Sequence, residues 1–163
     1  MKEGDRVRGL SCDISPLPKW PSAWCPPAPG LLKRNTNVIV PLEGDIIGLG
    51  SVIRDYHGHV IDCYSIGIMG PMYVDHAELL VVLEGVRFVR RMNWRVSVMK
   101  INSLKVVSLV DSPSPFVSLV PIVDKVHAGL TVTSCSKIFY VRRTGNDAVH
   151  FLAKLADYLS SCF

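Results

Sequence analysis

From Asn35 onward, apolar and polar residues recur with the periods of regular structure, and that pattern sets the expected elements. Asn35–Pro41 and Gly48–Arg54 read as strands. A second strand of the same hairpin runs from His59 to about Ile66, across the turn Asp55-Tyr56-His57-Gly58, which suits a tight reversal. Asp75–Arg91 carries a helical period and is followed by a short strand at Arg95–Met99. Ser103–Val110 reads as a brief helix before the break at Pro113 and Pro115, and Phe116–His127 as another helix, with Pro121 counting against it. Thr131–Val141 is rich in β-branched and aromatic residues and reads as a strand. Asp147–Cys162 is amphipathic and helical, with Asn146 as its N-cap. The order βββαβααβα predicts a mixed α/β domain that begins with a three-strand antiparallel meander.

The first 30 residues lack this texture. Six of the eleven prolines fall there, and a residue with fixed φ and no amide donor suits neither a helix interior nor an inner strand. Residues 1–30 are therefore expected to form an extended arm or linker, with Trp20 and Trp24 as candidates to pin it, and residues 31–163 the domain. A chain of 163 residues, 48% hydrophobic, suffices for one buried core. Its net charge of +4 does not by itself predict a nucleic-acid partner. The charged start MKEGDRVRGL lacks the apolar core of a secretory signal, and no apolar run reaches the roughly 18 residues that span a bilayer. The expectation is a soluble, intracellular protein without a membrane partner, with nucleus and cytoplasm undistinguished. Five widely spaced cysteines without a CxxC suggest neither a disulfide framework nor a zinc site; Cys63 and Cys135, in strand-like segments, read as small core residues.

On the wheel of Asp75–Arg91, Glu84, Arg87 and Arg91 share one face, as solvated ion pairs do. Glu78 falls nearly opposite, beside Val82, Gly85 and Val89. A carboxylate on the packed side is costly unless something pairs with it. Its place near the helix start, where water or the helix dipole can accommodate it, offers the plainer explanation. Spacing alone leaves both open.

Four segments, in order, resemble the ribonuclease H-like domain of plant retroelements, the type associated with reverse transcriptases. WCPPAPGLLKRNTN resembles the family's W-x-P-P-x-x-G-x-x-K-x-N-x-D opening. GLGSVIRDYHGHVI resembles its G-x-G-x-V-I-R-D strands with a glycine turn. HAELLVVLEGVRFV resembles its A-E-x-x-A-x-x-x-G-L helix, and YVRRTGNDAVHFLAKLA its closing H-V-x-R-x-x-N-x-x-A-D-x-L-A-K-x-A segment. The resemblance covers Trp24 to the C-terminus and implies a five-stranded mixed sheet flanked by helices. Gly48 and Gly50 do not make a dinucleotide fingerprint, since the third glycine is absent and a strand follows.

The resemblance implies two-metal phosphodiester hydrolysis, with two Mg²⁺ ions about 3.5–4 Å apart held by four acidic side chains. In this chain the four positions fall on Asn37, Glu78, Asn102 and His150, so only Glu78 is acidic; Tyr140 replaces the histidine that opens the closing segment. No bound metal or cofactor is then expected, and hybrid-cleaving activity is expected to be lost. Arg143 and Asn146 match family positions in the closing segment, and Asn35 in the opening one; Arg143 is a candidate nucleic-acid contact that could instead just order its loop, and Asn146 could simply cap a helix. Arg87, Arg90, Arg91, Arg95, Lys100 and Lys105 lie between Gly85 and Val110 with no acid among them. They are either a footprint for the backbone of an RNA–DNA hybrid or duplex, or an ordinary solvated surface. His150 lies on the polar stripe of the last helix with Lys154, where an exposed histidine needs no function; paired with Glu78 it would make only a weak site for a zinc-like ion. The alternatives are a working ribonuclease H with an unusual metal site, a domesticated interaction module binding a protein through the Pro/Trp arm, and a relic under no selection.

Overall fold

The structure is a computed structural model that describes residues 23–42, 45–112, 118–133, 135 and 137–160. Three strands come first: β1 (Leu32–Ile39), β2 (Ile46–Arg54) and β3 (Val60–Met69). Helix α1 (Val74–Arg91), strand β4 (Val96–Ile101), helices α2 (Leu104–Asp111) and α3 (Val120–Val132), and the short strand β5 (Ile138–Tyr140) follow. A 3₁₀ turn at Arg143–Gly145 leads into α4 (Asp147–Ser160). The sheet order is β3-β2-β1-β4-β5, antiparallel through the leading meander and parallel at β1–β4 and β4–β5. This is the expected five-stranded mixed sheet.

Successive residues of a strand face opposite sides, and β1 divides its work accordingly. Arg34 and Val38 turn toward α1, where Val38 joins a core with Ala77, Leu79, Val82 and Val86 of α1 and Met99 and Ile101 of β4. Asn35 and Asn37 turn toward α4 and bond side chains of that helix or its lead-in. The approach of α4 is set by two glycines of β2. A Cβ at Gly48 would lie 1.9 Å from the Ala153 carbonyl oxygen, and one at Gly50 2.3 Å from that of Val149. The G-x-G of this strand therefore permits backbone contact with a helix.

Arg34 is fully buried. Its Nη1 donates to the Gly85 carbonyl and its Nη2 to the Tyr64 hydroxyl, and the guanidinium lies 5.2 Å and 5.6 Å from the Tyr64 and Phe88 ring centroids. Gly85 leaves the room, since a Cβ there would meet Arg34 Cζ at 2.9 Å.

The structure corrects four expectations. Thr131–Val141 is not one strand: Thr131 and Val132 end α3, where the Thr131 hydroxyl donates back to the His127 carbonyl at 2.9 Å, and only Ile138–Tyr140 pairs in the sheet. Pro121 starts α3, in its first turn, where a missing amide donor costs nothing; Phe116 and Val117 lie outside the described residues. The Asn146 side chain does not cap α4, because its amide nitrogen donates to the Thr36 carbonyl and its oxygen accepts from Asn35, both at 2.8 Å. Cys63 is exposed on the edge strand β3, whereas Cys135 is buried as expected. Trp20, Cys12 and Cys162 lie outside the described residues.

Candidate functional site

Strands β1 and β4 run parallel, with Thr36 beside Ile101, so their C-terminal ends open side by side. In open α/β sheets this is where ligands settle. Asn37 lies next to the end of β1 and Asn102 directly follows β4. Glu78 comes from the first turns of α1, and His150 from α4. Glu78, Asn102 and His150 line one cleft of about 430 Å³, together with Arg143, Lys154 and the apolar Val38, Val40 and Val74. Asn37 is tied to this group through its amide nitrogen, 2.9 Å from His150 Nδ1. All four positions that the family resemblance singled out thus converge.

Glu78 is 8% exposed and its Oε2 is buried without a hydrogen-bond partner. Burial, with Asp75 nearby as a lesser cause, pushes its carboxyl from 4.5 up to about 8. At neutral pH this acid is mostly protonated. Asn102 Oδ1 is likewise buried and unpartnered. His150 is half-buried and bonded, not the free surface histidine that its stripe suggested. With the Asn37 amide donating to Nδ1, the proton of the neutral ring sits on Nε2. Partial burial, then Arg143 and Lys154, hold its pKa below 6.5.

The six basic residues between Gly85 and Val110 do not share one face. Arg87 is paired with Glu84 at 2.6 Å, and Lys105 with Asp75. Arg91 lies 5.7 Å from the Phe88 ring centroid. Lys100 sits beside Asn35 in the sheet, over Phe139. Arg90 and Arg95 line a polar pocket at the far end of α1 from Glu78. Arg143, by contrast, is in the cleft, as is Lys154. Sequence reasoning placed Lys154 only on a polar stripe. Its i,i+4 relation to His150 was the available signal. Arg34 was missed as well; the inward parity of Arg34 with Val38 could have found it.

Trp24, from the proline-rich segment, packs against the domain, with Lys33 Nζ and Arg54 Cζ at 5.3 Å and 5.2 Å from its ring centroid. Among the described residues, no three His, Cys, Asp or Glu side chains gather at metal-binding range, and no helix is long and apolar enough to cross a membrane.

The strand order, the crossover from α1 to β4 and the placement of α4 define the ribonuclease H-like class, and solved structures bear this out. The chain is similar to the N-terminal RNase H domain of Rv2228c from Mycobacterium tuberculosis (TM-score 0.68, 15% identity, covering 80% of this chain and 95% of that one). It is similar to LC11-RNase H1, solved in complex with an RNA/DNA hybrid (TM-score 0.67, 16% identity, 77% and 95%). It also resembles the foamy viral protease-reverse transcriptase, solved with an RNA/DNA hybrid (TM-score 0.61, 16% identity, 98% of this chain and 23% of that one). No curated protein matches the chain. Residues 39–156 match the reverse transcriptase-like family, and the chain belongs to that family.

Proposed function

We propose that this chain is a nucleic-acid-binding ribonuclease H-like domain, of plant retroelement descent, that engages an RNA–DNA hybrid or duplex without cutting it. One observation carries the reading. Among the described side chains lining the cleft, Glu78 is the only acid, and burial keeps it mostly uncharged near neutral pH. Two hard dications need several anionic oxygens to replace their water. The donors at the four family positions are one protonated carboxyl, two amides and an imidazole, with Arg143 and Lys154 alongside. This set does not fit a pair of Mg²⁺ ions. Disturbing even a group behind a metal ligand costs about 10–100-fold, so three missing carboxylates leave no working two-metal site. Binding to hybrid is supported by the class: two of the similar structures hold RNA/DNA hybrids.

The test is to incubate the protein with a labelled RNA–DNA hybrid in Mg²⁺ or Mn²⁺ and run native and denaturing gels side by side. We expect a shifted band that weakens with salt, and uncut RNA. Cleavage that disappears in Glu78→Gln would establish an active enzyme with an unusual metal site. Failure to shift the hybrid would remove the binding claim.

A further inference from the structure

The cleft holds more positive than negative charge, and its polar groups have a common direction of need. Arg143 and Lys154 line it, are exposed, and form no ion pair among the described residues. Lys154 follows His150 by four residues on α4, so the two side chains stand one above the other on the same helix face. Arg143 comes from the 3₁₀ turn just before α4. Asn37 holds the His150 ring by Nδ1, which leaves Nε2–H as the outward donor. Three donors from two short segments therefore line one open cleft, close enough that Arg143 and Lys154 both act on the His150 ring. Glu78 and the Oδ1 atom of Asn102, both on the same cleft, are buried.

We propose that this cleft binds a backbone phosphodiester directly, through Arg143, Lys154 and the Nε2–H of His150, with no divalent cation between protein and phosphate. The proposal rests on the nucleic-acid reading above and adds how that site holds its ligand. In a two-metal site, anionic side chains draw in cations, and the cations draw in phosphate. Here the charge that meets the phosphate belongs to the chain itself. Glu78 is buried, so the charge that the cleft turns to solvent is that of the exposed Arg143 and Lys154. Asn102 adds no charge. The guanidinium supplies a planar fork suited to two phosphate oxygens, and the ammonium a movable point charge.

The experiment is fluorescence anisotropy of a labelled RNA–DNA hybrid titrated with the full chain at several salt concentrations, in EDTA and again in Mg²⁺. Four forms are compared: the unaltered chain, Arg143→Ala/Lys154→Ala, His150→Ala, and Arg90→Ala/Arg95→Ala. All the substituted arginines and Lys154 are exposed, so their loss leaves the fold intact, which circular dichroism checks for every form. We expect equal affinity in EDTA and Mg²⁺. The Arg143/Lys154 variant should bind about tenfold or more weaker, with a log–log salt slope shallower by about two contacts. His150→Ala should weaken binding less, and Arg90→Ala/Arg95→Ala least of all. Binding by the unaltered chain that is indifferent to the Arg143/Lys154 change would overturn this proposal and leave the nucleic-acid reading standing. So would binding that requires Mg²⁺ and is lost in EDTA. No binding by the unaltered chain would sink both.

Discussion

Glu78 shows how burial can change the chemistry of a carboxyl. Its carboxyl is enclosed by the packed side of α1, and no cation or donor reaches Oε2. The consequence is a pH dependence whose sign can be worked out. The folded chain holds the Glu78 proton up to about pH 8, whereas an unfolded chain releases it near 4.5. The stabilisation is complete below 4.5 and is lost as pH rises through about 8, by at most about 5 kcal/mol. His150 acts in the opposite sense: its depressed pKa withholds stability only as pH falls through 6.5 and below. Comparing the chain with Glu78→Gln isolates the glutamate. Urea unfolding midpoints at pH 5, 7 and 9 should fall with pH in the unaltered chain and fall much less in the variant, which becomes the more stable form at pH 9. Parallel curves would show that Glu78 is ionised and accommodated in the fold. Arg34, on the α1-facing side of β1, is the contrasting case: a buried cation with a carbonyl, a hydroxyl and two aromatic faces as partners.

At the scale of elements, α4 decides whether there is a site at all, because it carries His150 and Lys154 and is introduced by Arg143. Its seat depends on Gly48 and Gly50, where helix and strand backbones meet without a side chain between them. Gly50→Ala would press a Cβ against the Val149 carbonyl oxygen at 2.3 Å and the Ala153 nitrogen at 2.7 Å, neither of which is a flexible side-chain end. We expect a loss of about 3 kcal/mol in urea unfolding, with weaker hybrid binding as α4 shifts. A variant as stable as the parent would mean that α4 sits further from β2. The leading meander and α1 were legible in the sequence because their periods and turn residues are local signals. The ends of α3 and β5 were not. Thr131 and Val132 look like strand residues, but packing against α1 overrides that preference: a Cβ at Gly129 would touch Val86 at 2.2 Å. Cys63 was misplaced because alternation tells which residues share a face and not whether that face is covered.

Across the whole molecule, the order of four motifs made the convergence of positions 37, 78, 102 and 150 readable in advance. What the motifs could not supply was the company these residues keep. The Asn37–His150 bond, the unpartnered Glu78 oxygen and the presence of Lys154 depend on how elements distant in sequence meet. The basic run from Arg87 to Lys105 is spread out for the same reason, since neighbours in sequence became neighbours of different partners in space. The resulting charge balance is the centre of the account: the cleft at the C-terminal ends of β1 and β4 carries two cations and a muted acid. Isothermal titration calorimetry of the folded chain with Mn²⁺ tests that balance most directly. The account predicts no saturable uptake at millimolar metal. Binding of two ions per chain, abolished by Glu78→Gln, would contradict it.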